Sequence, residues 1–300
     1  MSVTVRVPAK VNVQLAVGAA RPDGYHDLAN VFLAVGLYDE VTVTESDELR
    51  VTCEGPDADQ VPLDRTNLAA RAAEALAARY GRTPDVHIHI AKDIPVAGGM
   101  AGGSADGAGA LLACDALWGT GASRAELLEI CAELGSDVPF SLIGGAALGT
   151  GRGEQLTVLD VGGTFHWVFA LADRGLSTPA VFREFDRLVE GTDVPEPVAS
   201  RDVLQALAKG DPDALAAAVS NDLQPAALSL FPTLADTLTA GRAAGALTAL
   251  VSGSGPTTAF LARDPESAAK VAETLRTSGT CRTVRTASGP APGATVTTGR

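Results

Sequence analysis

The sequence predicts an α+β protein of two lobes, with a boundary near residue 160. Two orders of elements predict it. The first half alternates strand and helix patterns. The second half, its extra helices set aside, runs β-α-β-β-α-β, the split unit of ferredoxin-like folds. A third observation is compositional: 46% apolar and 20% charged residues over 300 positions describe a globular chain with ample core.

In order along the chain, Val3–Val7 and Val11–Val17 alternate apolar residues and read as strands, followed by the turn Arg21-Pro22-Asp23-Gly24. Further strands are predicted at Val31–Leu37, Val41–Thr44 and Leu49–Cys53. Asn67–Tyr80 carries Ala, Leu and Arg in amphipathic order and reads as a helix. The strand Val86–Ile90 delivers the chain to a glycine-rich loop. Helices follow at about 102–117 and 124–134, the second opened by a capping box of Ser123 and Glu126. Gly145–Thr150 and Gln155–Leu159 form a hairpin around Gly151-Arg152-Gly153. In the second lobe Phe165–Leu171 is a strand, and a helix starts with Thr178 as N-cap and Pro179 at its first position. Helical pieces fill 202–208, 212–219 and 233–244. Strands 247–251 and 257–262 flank the turn Ser252-Gly253-Ser254-Gly255-Pro256. Asp264-Pro265 opens a further helix before a last strand at 281–286, and the tail Ser288–Gly293 is loop-like.

Charge and cysteine usage exclude several functions. The net charge of −13 argues against nucleic-acid or anionic-membrane partners. Cys53, Cys114, Cys131 and Cys281 lie far apart with no C-x-x-C pair, which fits neither a zinc site nor a disulfide framework. The start MSVTVRVPAK lacks the apolar region of a signal peptide, and no run approaches a membrane span, so a reducing cytoplasm is expected. Lysines are few: Lys10, Lys92, Lys209 and Lys270. The first two fall beside the segments richest in chemistry.

The most informative of these segments is Pro95-Val96-Ala97-Gly98-Gly99-Met100-Ala101-Gly102-Gly103-Ser104-Ala105-Asp106. Glycines let backbone N–H groups approach a ligand, and the helix behind them aims its positive end at the same spot, which favours a phosphate. A Walker A loop would need a lysine after Gly103, and no register supplies the Rossmann Gly-x-Gly-x-x-Gly. A nucleophile elbow would need glycine where Asp106 stands. This is a phosphate loop of another type, or a turn that only lets the helix pack closely.

Four other segments carry candidate chemistry. Lys10 and Asn12 lie two apart and share one face of a strand, although a solvated strand end would also tolerate them. Asp137, in Gly135-Ser136-Asp137-Val138-Pro139, stands at a helix start, either as a cap or as a general base held ionised by a lysine. In Asp23-Gly24-Tyr25-His26 the Tyr25 ring is able to stack on a planar group and His26 to bond its edge, unless both are ordinary turn residues. Ser252, Gly253, Ser254 and Gly255 form either a plain hairpin connection or a second set of anion donors.

Taken together, Pro8-Ala9-Lys10-Val11-Asn12, Pro95–Ser104 and Ser252–Gly255 resemble the three motifs of the GHMP small-molecule kinases, in the right order and over almost the whole chain. The resemblance implies a two-lobed fold. Residues 1–160 would form an N-terminal, ribosomal-protein-S5-like α/β lobe that binds ATP, and 161–300 a C-terminal, ferredoxin-like lobe on the substrate side. Within the superfamily the stretches Arg21–His26, Leu134–Pro139, Ser177–Phe182 and Asn221–Pro225 resemble one branch. That branch phosphorylates the 2-hydroxyl of a methylerythritol carried on cytidine diphosphate (CDP), with ATP and Mg²⁺, in the non-mevalonate route to isoprenoid precursors.

By that resemblance Asp137 is the base, Lys10 positions carboxylate and hydroxyl, and Asn12 bonds near the transferred group. Tyr25 and Phe182 sandwich the cytosine, His26 reads its edge, and Thr178 lines the same pocket. Asn67 and the chain near Lys92–Pro95 face the adenine. Pro95, Val96, Ala97, Gly98, Gly99, Met100, Ala101, Gly102, Gly103, Ser104 and Ala105 wrap the ATP phosphates, and Ser252–Gly255 meets the substrate diphosphate or the transferred group. Ala97, Met100 and Ala101 stand where the family more often has Gly, Leu and Gly, and Ala101 is expected to narrow the approach to the phosphates. No metal ligand is assigned, Ser104 being the nearest candidate. The partner is a small molecule, and the chain is a monomer or homodimer.

Overall fold

A computed structural model describes residues 1–96 and 98–299. The first lobe contains β1 (Ser2–Ala20), β2 (His26–Glu45), β3 (Arg50–Glu54), α1 (Leu68–Arg79), β4 (Val86–Ala91), α2 (Gly102–Trp118), α3 (Arg124–Leu134), α4 (Val138–Ile143), β5 (Ala146–Thr150) and β6 (Gln155–Leu159). Then come β7 (Phe165–Leu171), α5 (Thr178–Val189), α6 (Arg201–Lys209), α7 (Pro212–Ala218), β8 (Ser220–Asn221), α8 (Gln224–Leu230) and α9 (Leu234–Ala243). The chain closes with β9 (Thr248–Val251), β10 (Thr258–Ala262), α10 (Pro265–Thr277), β11 (Thr283–Gly289) and β12 (Thr295–Gly299). The α+β class and the ferredoxin-like second sheet are both present, the latter in the order β11-β7-β10-β9.

Where two strands were expected on each side of the first hairpin, there is one long bent strand. β1 and β2 pair antiparallel along nearly their whole length, with register shifts between Pro8 and Ala9 and between Asn12 and Gln14. Such shifts bend a strand and re-aim its side chains. They bracket Lys10 and Asn12, whose neighbours Ala9, Val11 and Val13 turn to the core on the opposite face. The sequence pattern broke at the polar pair, but the backbone did not.

The first sheet has eight strands, with β12-β1-β2-β4-β3 as its main path, β5 and β6 branching from β2, and β8 parallel to β1. The chain therefore crosses the boundary near residue 160 more than once. The tail expected to be loop-like finishes β11 and then returns as β12 to pair with β1. Val203, Ala206 and Leu207 of α6 and Leu215 of α7 pack into the first core. On β7, Phe165, Trp167, Phe169 and Leu171 enter that core while Val168 and Ala170 enter the second. A strand buried on both faces reads as a continuous apolar run, as Phe165–Leu171 does.

Helix α2 carries the glycine loop at its N-terminus and lies hard against the first sheet. A Cβ added at Gly109 would sit 2.7 Å from Val7 Cγ2 and 2.8 Å from Val41 Cγ2. Substituting Gly109→Val is therefore expected to lower stability by about 2 kcal/mol, the usual scale of overpacking, despite the gain in helix propensity. Urea unfolding that left the midpoint unchanged would show that α2 has room to lift off the sheet.

Candidate active site

Most of the sequence-predicted residues converge on one cavity of about 880 Å³ at the seam of the lobes. That size lies at the upper end for small-molecule sites and leaves room for more than one ligand. Its wall includes Gly98, Gly99, Ala101, Gly102, Gly103 and Ser104, which lead into the first turn of α2. Ala101 is in the left-handed region at φ 61°, the only non-glycine residue there among those described. A side chain in that region is strained, so glycine is the easier residue at this position. Ala101 is among the residues that line the cavity.

Opposite the loop stands the Lys10 ammonium. Its Nζ donates to Asn12 Oδ1 at 2.5 Å and to the Gly99 carbonyl at 2.8 Å, and Asp137 Oδ2 lies 3.7 Å away. Asn12 in turn donates to Asn30 Oδ1 at 2.7 Å, which fixes its amide. Lys10, Asn12 and Asn30 are buried, so the bland reading of a solvated strand end fails. Asp137 occupies the N-cap position of α4 but its side chain makes no capping hydrogen bond. The carboxylate that a capping role would have used is free to face the cavity and Lys10. Burial depresses the Lys10 ammonium below the ordinary lysine value, more strongly than Asp137 beside it raises it.

The second glycine turn closes onto the first. Ser252 Oγ donates to the Gly99 carbonyl at 3.1 Å, and a Cβ on Gly99 would fall 2.1 Å from the Ser252 carbonyl oxygen. Gly253, Ser254 and Gly255 line the cavity, whereas Ser252 is buried and turned to the loop. The Asn221–Pro225 stretch braces this turn: Asn221 Nδ2 donates to the carbonyls of Val251 and Gly253, each at 2.7 Å. Thr178 is the first residue of α5, not its cap, since Ser177 holds the cap position. Its hydroxyl is thereby available to meet Ser254 Oγ at 2.8 Å.

At the far end the cavity is aromatic. Tyr25 is 52% exposed, and the Arg152 guanidinium lies 5.1 Å from its ring centroid. His26 is buried, with its ring 5.0 Å from that of Phe182 and its Nε2 2.8 Å from Asp186 Oδ1. Asn30, Arg152, Arg183 and Asp186 line the cavity and were not predicted. For Arg152 a signal existed, since the sequence placed it between two glycines at a hairpin tip. The others are brought in by pairing and helix packing.

Several expected ATP contacts do not open onto this cavity. Met100 and Ala105 are fully buried in the first core. The Asn67 side chain caps α1, accepting from Ala69 N at 2.8 Å and donating to the Pro62 carbonyl at 2.7 Å. Pro95 and Val96 border a separate recess of about 30 Å³, too small for a base. Ala97 lies outside the described residues. Lys92 faces inward: its Nζ bonds Asp39 and, at 2.9 Å, Asp106, both buried. Burial and the neighbouring Asp39 charge push the Asp106 carboxyl up to about 8, while the two acids hold the Lys92 ammonium charged.

A glycine loop on a helix N-terminus, a buried lysine and an uncapped aspartate in one cleft define a small-molecule kinase of the GHMP class. The family models agree: the GHMP kinases N terminal domain matches residues 67–145 and the GHMP kinases C terminal domain matches 203–281. Among relatives, a 4-diphosphocytidyl-2-C-methyl-D-erythritol kinase of Streptomyces coelicolor is 84% identical over 297 residues, covering 99% of each chain. The Mycobacterium tuberculosis protein of the same description is 57% identical, covering 98% of this chain and 93% of that one. This chain belongs to the 4-diphosphocytidyl-2-C-methyl-D-erythritol kinase family. A crystal structure of a 4-(cytidine 5'-diphospho)-2C-methyl-D-erythritol kinase superposes with a TM-score of 0.76 at 33% identity, covering 95% of this chain and 98% of that one. A homoserine kinase from Cytophaga hutchinsonii, 20% identical with a TM-score of 0.74 over 98% and 97% of the two chains, shares the fold.

If Lys10 must be charged for turnover, the rate should decline on the alkaline side below pH 10.5, the ordinary lysine value. Removing the anion that supports the ammonium, with Asp137→Asn, should move that limb to still lower pH. A pH–rate profile whose alkaline limb sits at or above 10.5, or ignores Asp137, would remove Lys10 from the charged machinery.

Proposed function

We propose that this chain transfers the γ-phosphoryl group of ATP to the 2-hydroxyl of 4-diphosphocytidyl-2-C-methyl-D-erythritol, in the non-mevalonate route to isoprenoid precursors. The observation that carries this reading is the single cavity joining the Lys10–Asp137 pair and the glycine loop to an aromatic end built from Tyr25, His26 and Phe182. The four unpaired cysteines fit a reducing cytoplasm.

In this reading the triphosphate lies along the backbone N–H groups from Gly98 to Ser104, at the positive end of α2. Leu68 offers apolar wall for the adenine side. Asp137 accepts the hydroxyl proton as the alcohol oxygen bonds the γ-phosphorus. The bond from that phosphorus to the β,γ-bridging oxygen breaks, and ADP leaves. Lys10 holds the carboxylate and the nucleophilic oxygen in line, with Asn12 kept in place by Asn30. Such transfer asks for positioning and charge neutralisation more than for covalent chemistry. The N–H groups of Gly253 and Ser254 and the Arg152 guanidinium face the substrate diphosphate, the Gly255 N–H being taken by the Ser252 carbonyl at 2.9 Å.

Magnesium reaches kinase sites on the nucleotide's phosphates, completed by few protein oxygens. No cluster of three His, Cys, Asp or Glu side chains occurs among the described residues, while the Ser104 hydroxyl faces the cavity. That sparse set fits a metal carried by ATP. Ser104 would be its protein ligand, and the ion would neutralise charge on the phosphates.

Incubation with ATP and the cytidyl substrate should yield ADP and the 2-phosphate. Turnover with homoserine or mevalonate instead would move the chain to another branch. Asp137→Asn should cut kcat by about a hundredfold or more with ATP affinity nearly intact, because proton abstraction fails while the loop is untouched. Tyr25→Ala should leave kcat largely in place and raise KM for the cytidyl substrate, at roughly 1–3 kcal/mol for a lost stack. The opposite split, with Tyr25 governing kcat and Asp137 governing KM, would refute the assignment.

A further inference from the structure

Asp186 sits one turn beyond Phe182 on α5, at the aromatic end of the cavity, and takes no part in the transfer itself. Its Oδ1 lies 2.8 Å from Nε2 of His26. The His26 ring is held in place from two sides, by Phe182 at 5.0 Å and, edge-on, by Phe185 at 6.0 Å between centroids. An ionised carboxylate only accepts hydrogen bonds, so Nε2 must carry the hydrogen. In the neutral ring Nδ1 is then left with a lone pair. Among the described residues no hydrogen bond is made by Nδ1, and the ring lines the cavity.

We propose that Asp186 is a positioning residue that fixes His26 as a hydrogen-bond acceptor at Nδ1 and so selects cytosine over uracil. Cytosine carries an exocyclic amine that donates to such an acceptor. Uracil carries a carbonyl oxygen at the same position, and two lone pairs would face each other. A site built around one hydrogen bond rejects an analogue that cannot make it more strongly than it rejects a change of size, because the site's polar group is left unpaired. Asp186 thus acts at one remove. Tyr25 and Phe182 hold any flat base, while the carboxylate behind His26 decides which edge is accepted.

This inference rests on the cytidyl reading of the substrate, and the experiment separates the two. The kcat/KM values for the cytidyl substrate and for its uridyl counterpart are measured for the wild type, Asp186→Asn and Asp186→Leu. The asparagine variant is able to donate to Nε2 and so permits the Nδ1–H tautomer, whereas leucine leaves Nε2 unpaired. Both should lower the cytidyl-to-uridyl preference by about tenfold or more, through KM for the cytidyl substrate, while kcat stays near the wild-type value. Nitrogen-15 NMR of His26 should show the proton on Nε2 in the wild type and a shift toward Nδ1 in Asp186→Asn. If the wild type fails to turn over the cytidyl compound, the substrate reading falls. If it prefers that compound and the variants keep the full preference, or if its His26 proton resides on Nδ1, the role of Asp186 is overturned.

Discussion

The Lys10 ammonium is 4% exposed, and an isolated charge so placed would be costly. Its cost is offset by oxygens brought from three parts of the chain: Asn12 on the same strand, the Gly99 carbonyl in the first glycine turn, and the Asp137 carboxylate ahead of α4. That gathering dictates the backbone around it. A Cβ at Gly253 would come 3.2 Å from Lys10 Nζ and 3.0 Å from Asn12 Oδ1, and one at Gly99 would overlap the Ser252 carbonyl. The two glycine turns touch each other, Ser252 Oγ donating to the same Gly99 carbonyl that accepts from Lys10. The seam of the lobes and the candidate site are therefore a single construction, and the register shifts that bracket Lys10 on β1 belong to it.

A chain of net charge −13 repels the anions this site is built to hold. The cleft inverts that field locally. Lys10, Arg152 and Arg183 line it, the positive end of α2 points in from Gly102, and backbone N–H groups of both turns add fixed partial charge. Against these stand Asp137, engaged with Lys10, and Asp186, engaged with His26. Over distances beyond a Debye length the acidic surface is screened, so the first few ångströms decide binding. A net negative charge over the whole chain is thus compatible with a locally positive cleft for a nucleotide.

How much of this was legible in the sequence follows the range of the interaction. Lys10, Asp137, Tyr25, His26 and the glycine loop stood out as candidates in the local sequence, Phe182 came only through the family resemblance, and the ferredoxin-like order of the second half was readable from element order alone. Asn30 and Asp186 were not. Each matters through a partner, 18 and 160 residues away respectively, that only strand pairing or helix packing brings near. Lys92 misled for the same reason. A lysine just before a phosphate loop reads as a ligand contact, but its partners Asp39 and Asp106 lie 53 and 14 positions away and claim it for the interior. Met100 looked like part of a ligand loop and is a plug in the core. Loop composition reports which backbone is exposed, but not which side chains turn inward.

The buried group formed by Asp39, Lys92 and Asp106 explains how such a loop stays in one shape. Asp39 Oδ1 accepts from the backbone N–H groups of Asp93 at 2.7 Å and Ile94 at 2.8 Å, on the entry side of the loop. Asp106 stands in α2, on the exit side, and Lys92 joins the two acids directly beneath Gly102, where a Cβ would come 2.9 Å from Nζ. Two ionised acids on one lysine would leave a net negative charge in a dry site. Burial and the neighbouring Asp39 charge oppose that, raising the Asp106 carboxyl above the ordinary carboxylate range. Among the described residues Asp106 Oδ1 has no hydrogen-bond partner, an orphaned atom of the kind that costs about 1–3 kcal/mol. The cost buys a fixed spacing between the two stems of the phosphate loop. Glycines make the loop able to approach a phosphate, and the ion pair beneath it prevents that same freedom from spreading into disorder.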